Sequence, residues 1–255
     1  MTSGMSAELK TDLDELAAAC RVLEMEGHGD RIWGHMALRD PDGRGFWMKR
    51  AGVALGEIHD SRDFVLLDFN GRKQAGDGKS HSEWPIHSEI MKKRPDVIAS
   101  SHTHPFYACV YSACEEPLPT VVARSGIQPY LPPRYTDTSE LIRKPEQGRA
   151  MAEALGDGTA VLLRNHGIVT CGTTIPEPVL VGIALEKMCR EALVVGGSGF
   201  KWSWPSPEEM AAKRKGGIGI IKYDSLWAYY RRKLARAEAL GEPLIGTQPV
   251  SMDSL

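Results

Sequence analysis

Strand-length and helix-length apolar segments alternate along this chain, and that alternation constrains the fold more than any other feature of the sequence. Several strand-length segments are joined by short loops. TAVLLRN (159–165) and GIVTCG (167–172), for example, are separated by one histidine. Links of that length join antiparallel neighbours, because a parallel pair needs a crossover of a dozen residues or more. The pattern predicts a mixed sheet with helices packed on its faces. Predicted strands include HMALRD near 35–40, FWMK (46–49), DFVLLDF (63–69) and the apolar run DVIASSHTH (96–104). In 6–26, Leu9, Leu13, Leu16, Cys20 and Leu23 recur at three- and four-residue steps before Gly27, the mark of an amphipathic helix with a stop. Further helices are predicted over 83–93, with Ser82 as cap, and over 105–113, 146–155, 175–197, 206–214 and 223–239. The polar stretch 70–82, the proline-rich stretch 118–135 and GGIGII (216–221) read as loops or extended chain. Residues 1–240 are read as one domain and 241–255 as a C-terminal tail.

The 255 residues carry a formal net charge of −2, which gives no electrostatic footprint for nucleic acid. No apolar run approaches the roughly 20 residues that span a bilayer. The acidic, polar start of the sequence does not read as a secretory signal. The five cysteines are odd in number and match no disulfide or zinc spacing, so they are expected as small core residues of a cytoplasmic protein. GDGKS (76–80) ends like a phosphate-binding loop, but Lys73 stands where the first glycine belongs.

The candidate chemistry lies in the histidines. His102 and His104 are two apart at the end of an apolar strand, so their side chains share a face and can hold one cation. His166 sits in NHG between two predicted strands, where Gly167 permits a close approach. Three neutral imidazoles leave positions open for water or substrate. Spacing alone also allows a satisfied strand end and a turn histidine. His28 and His59 are expected on surface loops, and His87 on the outer face of its helix.

The segments SEWPIHSEIMKKRPDVIASSHTHP and VLLRNHGIVTCG resemble the class II aldolase/adducin-head family over about residues 10–200. The resemblance implies a three-layer α/β/α sandwich with a central mixed, largely antiparallel sheet. It implies one divalent metal ion (Zn, Mn or Fe) on His102, His104 and His166, with Glu83 as the acid–base group. It also implies a homo-oligomer, usually a tetramer, with sites at subunit interfaces. The sugar-phosphate aldolases of the family carry Gly-Asn, Thr-Gly and Ser-Ser where this chain has Gly34-His35, Ala51-Gly52 and His81-Ser82. A phosphate cradle wants small donors and free backbone N–H groups. The bulkier His35 and His81, with Arg50 nearby, suit a small-molecule carboxylic acid instead. Candidate substrate contacts are therefore His35, Arg50, Gly52, His81 and Ser82. Tyr229 joins them from an aromatic C-terminal segment that would close over a neighbour's site. The expected activity is carbon–carbon lysis, preferably decarboxylation of a hydroxylated aromatic acid and secondly aldol cleavage. An Fe(II) oxygenase and a non-catalytic binding module are the alternatives.

Overall fold

A computed structural model describes residues 5–119, 121, 131–215 and 223–241. The chain opens with helix α1 (Ala7–Met25), whose first turn is closed by Ser6 Oγ accepting from the Leu9 amide. Strands β1 (His35–Arg39), β2 (Phe46–Lys49), β3 (Phe64–Leu67) and β4 (Lys73–Ala75) follow as an antiparallel meander. Helix α2 (Trp84–Lys93) then leads into β5 (Ala99–Thr103) and the short α3 (Phe106–Ser112). The remaining elements are β6 (Arg134–Tyr135), α4 (Pro145–Leu155), β7 (Ala160–Leu163), β8 (Gly167–Gly172), α5 (Pro176–Gly197), α6 (Pro207–Lys215) and α7 (Tyr223–Leu240).

The eight strands form one sheet in the order β4-β3-β2-β1-β5-β8-β7-β6. Every pairing is antiparallel except β6 with β7. Period-two alternation sends neighbouring side chains to opposite layers. Met36, Leu38, Trp47, Phe64 and Leu66 pack under α1, α5 and α7. Ala37, Phe46, Met48, Val65 and Leu67 face α2 and α4 on the other side, joined by Val161, Val169 and Cys171. A third apolar group joins α3 and α5 to Ala160, Leu162 and Ile168. The result is the three-layer α/β/α arrangement, with α2 sandwiched between the sheet and α4.

Three local expectations change. The polar stretch 70–82 contains β4, because the turn at Asp68–Gly71 folds Lys73–Ala75 back along β3. The proline-rich stretch contributes β6, which borders β7 in parallel. Ser82 does not cap α2: Glu83 holds the N-cap position without a side-chain cap bond, and Pro85 sits in the first turn. GGIGII and residues 242–255 lie outside the described residues. All five cysteines are free thiols. No described helix is long and apolar enough to cross a membrane.

Candidate metal centre

Strand β5 carries His102, completely buried, and ends one residue before His104. The β7–β8 hairpin brings His166 alongside. Its turn is closed by the His166 amide donating to Leu163 O (3.0 Å), with Asn165 in the left-handed region at φ 56°. Asparagine tolerates that conformation better than most residues. Gly167 makes the approach possible: a Cβ there would stand 2.6 Å from Thr103 O and 2.7 Å from His104 Cδ2. The three rings meet with centroids 4.7 to 5.4 Å apart. Donor atoms of His102, His104 and His166 lie within 4.8 Å of one another.

The hydrogen bonds orient these rings for a cation. The His102 Nδ1–H donates to the Ile168 carbonyl (2.9 Å), so Nε2 is the bare nitrogen. That Nε2 faces His104 Nε2 at 3.1 Å. His166 Nε2 is buried with no hydrogen-bond partner. Burial first, then the neighbouring His102, push His104 down to about 3 and His166 to about 4. Neutral rings with converging lone pairs are the ligating form, so the residues present fit a divalent cation. Asp30 Oδ2 stands 3.5 Å behind His104 Nδ1, where a carboxylate steadies a ligating ring.

Glu83 closes the group from the start of α2. Its oxygens lie 3.6 Å from His102 Nε2 and 3.7 Å from His166 Nε2, and Oε1 accepts from the Ile142 amide (2.9 Å). Burial pushes the carboxyl up, but the facing His102 and His166 rings and the Ile142 amide outweigh burial and bring it to about 2.

A cleft of about 1350 Å³ opens over this floor. His81, Ser82, Glu83, His104 and His166 line it, as do the aromatic rings of Trp33, Phe106 and Tyr107 and the cationic Arg143, Lys187 and Arg190. Those three cations and Asp30 escaped the sequence reading, because no motif marks them and only the return of α5 and the 141–143 segment brings them here.

His35 lies beneath the floor, 2% exposed, its ring 4.6 Å from His81 and 5.2 Å from His102. The antiparallel β1–β5 register, which pairs His35 with His102, puts it there. Arg50, Gly52 and Tyr229 do not line this cleft. The Arg50 guanidinium pairs with Asp63 (3.0 Å), and only its main chain reaches the site, as a hydrogen-bond partner of His81. Gly52 occupies an exposed turn at φ 86°. Tyr229 stands half exposed on α7, its neighbour Tyr230 taking the buried position.

Two other expectations are overturned. His87 is completely buried, because α2 is covered by α4 and keeps almost no outer face. His28 is also completely buried, with Nδ1 3.0 Å from Thr103 Oγ1. His59 is exposed as expected.

The chain is 33% identical over 186 residues to the "Meiotically up-regulated gene 14 protein" of Schizosaccharomyces pombe, covering 72% of each. It is 29% identical over 246 residues to a 3,4-dihydroxyphthalate decarboxylase of Arthrobacter keyseri, covering 89% of this chain and 94% of that one. Its fold matches the solved L-fuculose 1-phosphate aldolase of Glaciozyma antarctica PI12 with a TM-score of 0.77 at 26% identity, over 96% of each chain. Residues 14–193 match the family described as "Class II Aldolase and Adducin N-terminal domain", and the chain belongs to that family.

Proposed function

We propose that this protein is a divalent-metal-dependent lyase that decarboxylates a hydroxylated aromatic carboxylic acid. The observation that carries the reading is the convergence of His102, His104 and His166 beside the Glu83 carboxylate, in a cleft walled by aromatic rings and by Arg143, Lys187 and Arg190. The length of the likeness to 3,4-dihydroxyphthalate decarboxylase supports it. So does the loss of small phosphate-binding side chains at His35 and His81.

His102, His104 and His166 would hold the cation, which supplies Lewis-acid polarisation to the substrate's hydroxyl and carboxylate oxygens. The chain's own groups do the rest. Trp33, Phe106 and Tyr107 line the cleft and supply apolar surface for an aromatic ring. Arg143, Lys187 and Arg190 offer charge to a second carboxylate. Glu83 takes the substrate's hydroxyl proton as negative charge builds in the ring. The ring–carboxylate bond breaks with its electron pair left on the ring carbon, CO2 departs, and Glu83 returns the proton to that carbon. In a cytoplasmic homotetramer, Tyr229 would meet a neighbouring subunit's cleft rather than its own.

The test combines elemental analysis of protein purified without added metal with a screen of hydroxylated aromatic acids, beginning with 3,4-dihydroxyphthalate. Bound zinc, manganese or iron together with CO2 release is the expected result. Bound iron with O2 consumption would replace the reading by an oxygenase. Carbonyl fragments from a hydroxy-oxo acid would replace it by aldol cleavage. Absence of metal and of turnover would leave a binding module.

A further inference from the structure

His102 belongs to two groups at once. Its donor atom lies within 4.8 Å of those of His104 and His166, and also of those of His35 and Glu83. Distance alone therefore gives a cation two seats. Hydrogen bonding separates them.

Ser100, on β5, is completely buried, and its Oγ lies 2.6 Å from His87 Nδ1. His87, on α2, is equally buried, and its Nε2 lies 2.7 Å from His35 Nδ1. Among the described residues the Ser100 hydroxyl has no other hydrogen-bond partner, so His87 Nδ1 is the acceptor for its hydrogen. A neutral His87 that accepts at Nδ1 carries its own hydrogen on Nε2 and donates it to His35 Nδ1. His35, accepting at Nδ1, then carries its hydrogen on Nε2. The opposite polarity would strand a hydroxyl hydrogen inside the protein, which costs the full desolvation of that group. A ring nitrogen that bears hydrogen has no lone pair in the ring plane for a metal. With Nδ1 occupied by His87 and Nε2 protonated, His35 cannot ligate.

We propose that Ser100 and His87 fix His35 as the neutral Nε2–H tautomer, closing the His35–Glu83–His102 group to metal and leaving His102 to the His104–His166 side alone. Ser100 and His87 are positioning residues in this arrangement. The tautomer and the exclusion of metal stand apart from the hydroxy-acid reading above.

The primary experiment is long-range proton–nitrogen NMR on the zinc-loaded, nitrogen-15-labelled chain. His35 is expected to carry its hydrogen on Nε2, to lose that single tautomer in Ser100→Ala, and to regain it in Ser100→Thr, which keeps a hydroxyl. Hydrogen on Nδ1 of the wild-type ring, or an unchanged tautomer in Ser100→Ala, would overturn the proposal. Zinc content gives a second reading. His35→Phe is expected to retain its zinc while His102→Ala loses it; equal loss in both would overturn the exclusion of metal. A protein that decarboxylates nothing would still report the tautomer, so the two readings fail separately.

Discussion

The histidines on either side of His102 are similarly hidden from solvent but differ in what they touch. On one side His35 and His87 are linked to each other and to Ser100, with a partner on three of their four ring nitrogens. On the other side His166 Nε2 is shielded without a hydrogen-bond partner, and His104 Nδ1 has only the Asp30 carboxylate at 3.5 Å behind it. Buried polar atoms are mostly hydrogen-bonded, so a shielded ring nitrogen without a partner calls for an explanation such as a bound ion or water. The contrast distinguishes the two sides of His102 by what their rings touch.

The sharpest way to break that contrast is His104→Ala. Losing a direct ligand should reduce turnover by well over the ~100-fold that loss of an outer partner costs, with bound metal falling in parallel. Undiminished metal after gel filtration would erase the distinction. Next comes Glu83→Gln, which should retain metal and lower kcat by about 10² to 10⁴ fold, the range for removing a positioned acid–base group. Metal analysis beside steady-state rates reads both halves of that outcome.

The framework side is tested by pH. Burial pushes His28 and His87 down to about 3. Their unfolded value is near 6.5, so between about 3 and 6.5 the unfolded chain binds more protons than the folded one. Stability is complete above that window and falls as pH drops through it. Each ring should cost the metal-free protein about 2 kcal/mol between pH 7 and pH 5. Urea unfolding at the two pH values measures this, and a flat profile would contradict the burial of both rings. The smallest effect is expected from Asp30→Asn. It leaves every ligand in place but loosens His104, lowering metal affinity about tenfold in competition with a chelator.

Much of this site is written in local sequence. The two-residue spacing of His102 and His104 near the end of an apolar strand follows from strand geometry, and the NHG turn marks the return of His166 beside them. The boundaries of α1 and α5 fall within a residue or so of those read from apolar periodicity and turn residues. What escaped depends on packing between distant segments. His87 reads as a surface residue until α4 is laid over α2. Asp30, Arg143, Lys187 and Arg190 acquire their roles by arriving at one cleft from three parts of the chain. β4 and β6 are too short and too polar or proline-flanked to announce themselves, and they become strands by pairing with neighbours already formed.

Among the described residues those two late strands border the sheet. One is three residues long, begins with Lys73 and follows a register shift at Leu66/Leu67; the other has two residues. A margin so brief, charged on one side, gives another chain's backbone almost nothing to zip onto. Lateral growth into a fibril or an inter-molecular sheet is thereby discouraged. Contacts between copies of this protein then have little to gain from these edges, and side chains on helices and loops are where surface substitutions would tune them.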